Sequence, residues 1–289
     1  LLESLFPQMN IATTFVDITD LEAVKSAITR DTRAIFTETM GNPTLNIADI
    51  PVLSSTAHDR NITLIIDNTF SPMIFSPNLL GADVVVYSLT KYINGASDLI
   101  GGAICAKRQF IQELMNLHTG RVMLLGPTMD PRVAFDVIQR LPHLAIRIRE
   151  HGRRAVAMAQ MLKKMTVKVI YPGLQDHPQH DLAEHLGNRG YGLGGILAID
   201  CGSRERAEAL MEILQNEEKF GFIAVSLGYF DTLISCSGSS TSSEIDIEDQ
   251  RRMGLSSGLL RIALGYTGSL DVRLEQMKRA VQQVLFSKK

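Results

Sequence analysis

Apolar positions near the start of the chain switch between helical and strand spacing. In "DLEAVKSAITR" (20–30), Leu21, Val24 and Ile28 fall on one face, which predicts a helix. "RAIFTE" (33–38) predicts a short buried strand that ends in the turn "TMGNPT". Asp49 suits a helix cap with Pro51 in the first turn, and the helix is expected to run to about Asn61. "ITLIIDNTF" predicts an apolar strand closed by Asp67, and "ADVVVYS" after Gly81 predicts the next. Such alternation with short links predicts an α/β fold on a mostly parallel sheet with helices on its faces. "GGAICA" past glycines 95, 101 and 102 reads as an antiparallel return strand.

The pattern then lengthens. "LPHLAIRIREHGRRAVAMAQMLKKM", from about Leu141, predicts one long amphipathic helix linking two domains, 1–140 and 141–289. The second part carries strand and helix patterns and a serine-rich loop, "SCSGSSTSSEIDIEDQRR" (235–252). "GLLRIALG" reads as a strand holding one arginine, Arg261, and a final amphipathic helix covers about 269–286.

Composition narrows the function. The chain has 289 residues and a net charge of −2, which argues against nucleic acid or a membrane surface as partner. No apolar run is long enough to span a bilayer. Cys105, Cys201 and Cys236 are odd in number and scattered, which fits a reducing compartment, the cytoplasm, rather than a disulfide framework.

In open parallel sheets, ligands bind beyond the carboxyl ends of the strands. Three strands here end in polar residues: Glu38 with Asn42 nearby, Asp67, and the cluster Ser88, Thr90 and Lys91. A deprotonated lysine amine attacks carbonyls, and pyridoxal phosphate brings one. That cofactor needs a carboxylate to hold its ring nitrogen protonated, for which Asp67 is the candidate. Ser88 and Thr90 can donate to its phosphate, and Asn42 to its 3′-oxygen. An amino-acid substrate presents a carboxylate, which suits the forked guanidinium of Arg261. Taken singly, Lys91 reads as a solvating lysine, Asp67 and Asn42 as turn residues, and Arg261 as a structural ion-pair partner. As a set they suit one cofactor. "DHPQHDLAEH" offers His177, His180 and His185, but Pro178 interrupts helical spacing and no cysteine joins them, which argues against a metal site.

Several stretches carry a family resemblance: "ETMGNPT", "DNTF", "SLTKY" with its following glycines, "YPGL", "AVSLG", "DTLISCSGSSTSSE" and "GLLRIALG". Together they resemble the Cys/Met-metabolism branch of pyridoxal-phosphate enzymes over nearly the whole chain. The resemblance implies the type I fold of these enzymes, with a smaller C-terminal α/β domain. It makes Lys91 the cofactor-bearing lysine and Asp67 the partner of the ring nitrogen. Ser88 and Thr90 become phosphate ligands and Asn42 a neighbour of the 3′-oxygen. Ser226 and Arg261 become receivers of the substrate carboxylate, and Glu38 lines the same site. It also implies a homo-oligomer, a dimer of dimers, with active sites shared between subunits.

Within the family, "VMLLGPTM", "FGFIAVSLGY" and "CSGSSTSSE" point to plant members that release methanethiol, 2-oxobutanoate and ammonia from methionine. Cystathionine γ-synthase, cystathionine γ-lyase and O-acylhomoserine sulfhydrylase activities are alternatives on the same fold. Two departures stand out: Ala96 replaces a common histidine, and "CSGSSTSSE" replaces a His-Pro-Ala-Ser-Met type of segment. The resemblance places the family's glycine-rich phosphate cup, its ring-stacking tyrosine and an intersubunit segment before Leu1. The chain is therefore expected to be a fragment, and a non-catalytic truncated subunit is a further alternative.

Overall fold

The computed structural model describes residues 2–236 and 256–286. Helix α1 (Leu21–Ala27), β1 (Ala34–Glu38), α2 (Ile50–His58), β2 (Thr63–Asp67), β3 (Val84–Ser88) and β4 (Gly102–Ala106) build the first sheet and its cover. Its order is β1-β2-β3-β4, with β1, β2 and β3 parallel and β4 antiparallel. Asp20 caps α1 through the Ala23 N–H, and Asp49 caps α2 through the Val52 N–H with Pro51 in its first turn. α2 stops at His58, short of the expected Asn61, because Asn61 turns left-handed with φ +54°.

One face of this sheet is sealed. Leu64, Ile66 and Val85 pack under Val24, Ile50, Leu53 and Ala57. On the other face Phe36 is 52% and Ile104 44% exposed. The expectation of a buried strand at 33–38 is thus corrected: β1 ends the sheet order, and its outer face has no cover among the described residues.

The chain continues through α3 (Arg108–Leu114), α4 (Arg121–Leu125), α5 (Pro131–Arg140) and the long α6 (Leu144–Lys164). Then come β5 (Lys168–Ile170), α7 (His180–Leu186), β6 (Ile196–Asp200), α8 (Arg204–Glu212), β7 (Phe222–Ile223), β8 (Leu233–Cys236), β9 (Leu259–Ala263) and α9 (Leu270–Leu285). The second sheet runs β5-β6-β9-β8-β7 and is antiparallel except for β7 with β8. Ser235 and Cys236, expected in the serine-rich loop, are strand residues, and 237–252 of that loop lie outside the described residues.

Strand alternation gives this sheet two faces. Leu197, Ile199, Leu260 and Ile262 face a core built with Met158, Leu162, Leu210 and Met277 from the helices. Ile196, Leu233 and Ala263 face the other way, into a core shared with Met40, Ile74, Leu89 and Tyr92. Arg261 shares the parity of Ala263 and pairs with Ala198 and Ser235, and it reaches Asn42 just beyond the carboxyl end of β1. Gln179 joins the two halves as well. Its side-chain amide accepts from the Ile47 N–H at 2.9 Å and donates to the Ile47 carbonyl at 2.7 Å.

Candidate active site

Parallel register brings the polar strand ends together. Glu38 stands opposite Asp67, and Asp67 opposite Val86, two residues before Ser88. The Asp67 carboxylate accepts the Thr69 N–H at 2.9 Å, and the Thr69 hydroxyl accepts the Ser88 N–H at 2.8 Å. The "DNTF" turn thereby ties the end of β2 to the end of β3.

Past Ser88 the chain forms a π-type helical turn, Leu89–Ile93, wider than an ordinary α-helical turn. Lys91 interrupts it with φ −91° and ψ −126°. The Thr90 hydroxyl accepts the Gly101 N–H at 3.2 Å, so its own hydrogen stays free to donate. Lys91 is half-buried, and its Nζ donates to Ser226 Oγ at 2.8 Å. Burial lowers its pKa, and the nearby Arg261 charge lowers it further, both favouring the free amine.

The loop carrying Ser226 approaches this turn closely. Gly228 has φ +76°, and a Cβ there would lie 2.5 Å from Tyr92 N and 2.8 Å from the Lys91 carbonyl carbon. Only glycine satisfies both conditions.

Arg261 is 1% exposed, and burial pushes its pKa down to about 10. It donates from Nη1 to Asn42 Oδ1 at 3.1 Å, and from Nη2 to the carbonyls of Val225 and Ser226 at 2.8 and 3.1 Å. Its Nε has no partner among the described residues. These acceptors are neutral, so the ion-pair alternative for Arg261 does not hold among the described residues. The Asn42 N–H in turn donates to Glu38 Oε2 at 3.0 Å. Burial, opposed by that hydrogen bond and reinforced by the Asp67 charge, pushes the Glu38 pKa up to about 7.

The structure therefore links Lys91, Ser226, Arg261, Asn42 and Glu38 in one hydrogen-bonded series, with Asp67 beside Glu38 and Ser88 at the end of the adjacent strand. Other histidines do different work. His180 Nδ1 bonds the Pro172 carbonyl at 2.8 Å, and His177 Nδ1 accepts the Gln179 N–H.

Sequence reasoning missed Gly228, Arg147 and His151. Arg147 (5% exposed) and His151 (1%) lie on α6 behind the lysine turn. His151 packs edge-on against Tyr92, ring centroids 5.1 Å apart, and bonds the Leu264 carbonyl through Nδ1. Their signal was present: positions 147, 151 and 154 place polar side chains on the stripe of Leu144, Ile148, Ala155 and Met158.

Comparison with known proteins decides the class. The profile of the Cys/Met metabolism PLP-dependent enzymes matches residues 1–281. The chain belongs to this family. It is 51% identical to methionine γ-lyase of Arabidopsis thaliana over 94% of its own length and 62% of that relative, so it spans less than two thirds of it. A crystal structure of cystathionine γ-lyase from Lactobacillus plantarum, complexed with L-serine, matches with TM-score 0.88 and 29% identity over 99% of this chain and 73% of that one. A putative O-acetylhomoserine (thiol)-lyase from Campylobacter jejuni, which carries N′-pyridoxyl-lysine-5′-monophosphate, matches with TM-score 0.88 and 26% identity over 97% of this chain and 73% of that one. The fold is thus that of the pyridoxal-phosphate lyases, and pyridoxal phosphate is the cofactor of this family member.

The donor set fits that cofactor. A half-buried amine with a lowered pKa, neighbouring strand-end carboxyls, a Thr90 hydroxyl hydrogen free to donate and a guanidinium Nε with no partner among the described residues suit it.

Proposed function

We propose that this chain bears the cofactor and binds the substrate carboxylate in a lyase that eliminates the γ-sulfur substituent of methionine. With one water consumed, the products are methanethiol, 2-oxobutanoate and ammonia. The observation that carries this reading is the Lys91–Ser226–Arg261 series, in which a poised amine and a carboxylate-binding fork share one serine.

Pyridoxal phosphate, when bound, supplies the electron sink for charge that develops at the substrate Cα. Lys91 is the side chain that holds it covalently. Asp67 keeps the ring nitrogen protonated, and Ser88 and Thr90 donate to the phosphate. Because Asn42 Oδ1 accepts from Arg261, its Nδ2 faces the opposite way and donates to the ring oxygen. Glu38 holds the Asn42 backbone in place by accepting its N–H. Arg261 keeps its Nε–H for the substrate carboxylate, and the Ser226 hydroxyl, which accepts from Lys91, keeps its hydrogen for the same carboxylate. As a free amine, Lys91 Nζ would take the substrate Cα proton and move protons between neighbouring carbons. Its lowered pKa suits that work near neutral pH.

We divide the chain into a cofactor-binding part, 1–140, and a linking helix with a smaller domain, 141–289. The partner proposed is a second copy of the chain, assembling as a dimer of dimers with shared sites. Support comes from apolar side chains left open on α4 to α6, among them Leu124 (65% exposed), Leu125 (83%), Phe135 (61%), Ile138 (62%) and Ile146 (67%). No described helix is long and apolar enough to cross a membrane. The odd number and scattered placement of Cys105, Cys201 and Cys236 suit the reducing cytoplasm.

The test is product analysis with methionine alone and with a second thiol or with cystathionine. Methanethiol and 2-oxobutanoate from methionine alone support the proposal. Turnover only with the second thiol means γ-replacement, and turnover only with cystathionine moves the substrate assignment.

A further inference from the structure

We propose that Arg147 is a positioning residue for Lys91, fixing the backbone of its turn from the side opposite the substrate. The idea rests on Lys91 being the cofactor-bearing lysine. Arg147 comes from α6, and its guanidinium donates from Nη1 to the Tyr92 carbonyl at 2.6 Å and from Nη2 to the Ile93 carbonyl at 2.8 Å. These are the two peptide carbonyls that follow Lys91. Nη2 also reaches the Arg140 carbonyl at 3.3 Å, and Nε donates to His143 Nδ1 at 2.9 Å.

Three features separate this from ordinary helix packing. First, Arg147 is buried yet has no carboxylate partner among the described residues, and burial lowers its pKa. A buried cation left without an anion is costly, so carbonyl dipoles must hold it. Second, the fork bonds both carbonyls at once, which fixes their relative orientation as a single ammonium would not. Third, the space is reserved for it. Gly95, at φ +80°, would place a Cβ 2.4 Å from Arg147 Nη1.

Lys91 itself sits outside helical geometry within this turn. Its turn is packed on one side by the backbone at Gly228 and bonded on the other by Arg147, while Ser226 holds the Lys91 amine itself. Arg140, ion-paired with Asp98 at 2.6 Å and bonded to Asn94, secures the segment just beyond. Loss of the Arg147 fork leaves two buried carbonyls unpaired and frees the turn to shift, carrying the Lys91 amine with it.

The test compares full chains bearing Arg147→Met, Arg147→Lys and Lys91→Ala after loading with pyridoxal phosphate. The readouts are the amount of cofactor that borohydride fixes to Lys91 at limiting cofactor, the pH midpoint of the visible absorbance, and thermal melting. Arg147→Met is expected to fix about tenfold less and to shift the midpoint, with Arg147→Lys intermediate. If Arg147→Met does not fold, Arg147→Lys decides by the same readouts. A folded variant with wild-type fixation and an unchanged midpoint overturns the positioning role, whatever its melting temperature. Fixation that persists in Lys91→Ala would instead overturn the assignment of Lys91 itself, a separate failure.

Discussion

Lys91 Nζ donates to Ser226 Oγ at 2.8 Å, across 135 positions of sequence. The same serine offers its carbonyl to Arg261 Nη2 at 3.1 Å. One residue of the second half thus touches both the Lys91 amine and the Arg261 guanidinium. Ser226→Ala removes the hydroxyl and leaves the carbonyl. It is expected to raise KM for the amino acid about three- to tenfold, the value of one hydrogen bond, and to change kcat less. Steady-state kinetics check this, and an unchanged KM would contradict it.

Arg261 is held flat by three neutral acceptors, on Asn42, Val225 and Ser226. Lysine cannot reproduce that fork. Arg261→Lys is expected to weaken substrate affinity about 100-fold while leaving bound cofactor in place, corresponding to loss of about 2–3 kcal/mol of charged hydrogen bonding. Spectroscopic titration with methionine measures it. Tight binding by the variant would contradict the assigned role.

Glu38 makes stability depend on pH. Its folded pKa, about 7, lies above the ordinary 4.5. Below pH 4.5 the carboxyl is protonated in both folded and unfolded states, and the fold suffers no penalty. Between pH 4.5 and 7 the unfolded chain ionises first, so stability falls as pH rises and then levels off. The penalty is on the order of 3 kcal/mol. Glu38→Gln cannot ionise and should lack this decline. Melting curves of the cofactor-free protein from pH 4.5 to 8 check it: parallel profiles for wild type and variant would contradict the assignment.

Gly228 lies close against the lysine turn, where a Cβ would come within 2.5 Å of Tyr92 N. Gly228→Ala adds a methyl group at a left-handed position already filled by backbone. The expected cost is about 2 kcal/mol, seen as a melting temperature lower by several degrees. A variant as stable as wild type would show that the loop can yield.

Much of this site was legible because its residues fall at ends of strands with strong apolar signals. Asp67 and Ser88 each end a mostly apolar strand rich in β-branched residues, and parallel register brings Glu38 beside Asp67. Arg261 stood out as a single cation inside an apolar strand. What was not legible depends on contacts between distant segments. Phe36 looks like core by composition, but its exposure follows from the place of β1 in the sheet order. Arg147 and His151 read as the polar side of a long helix until their burial behind Tyr92 is seen. Gln179 gives no local hint that it clamps Ile47.

The most direct test is the visible absorption spectrum of wild type and Lys91→Ala, each purified with pyridoxal phosphate and then dialysed. The account predicts that wild type keeps the absorbance of lysine-bound cofactor and that Lys91→Ala, folded by its circular dichroism, loses it. A dialysed Lys91→Ala protein that keeps the wild-type band would contradict it.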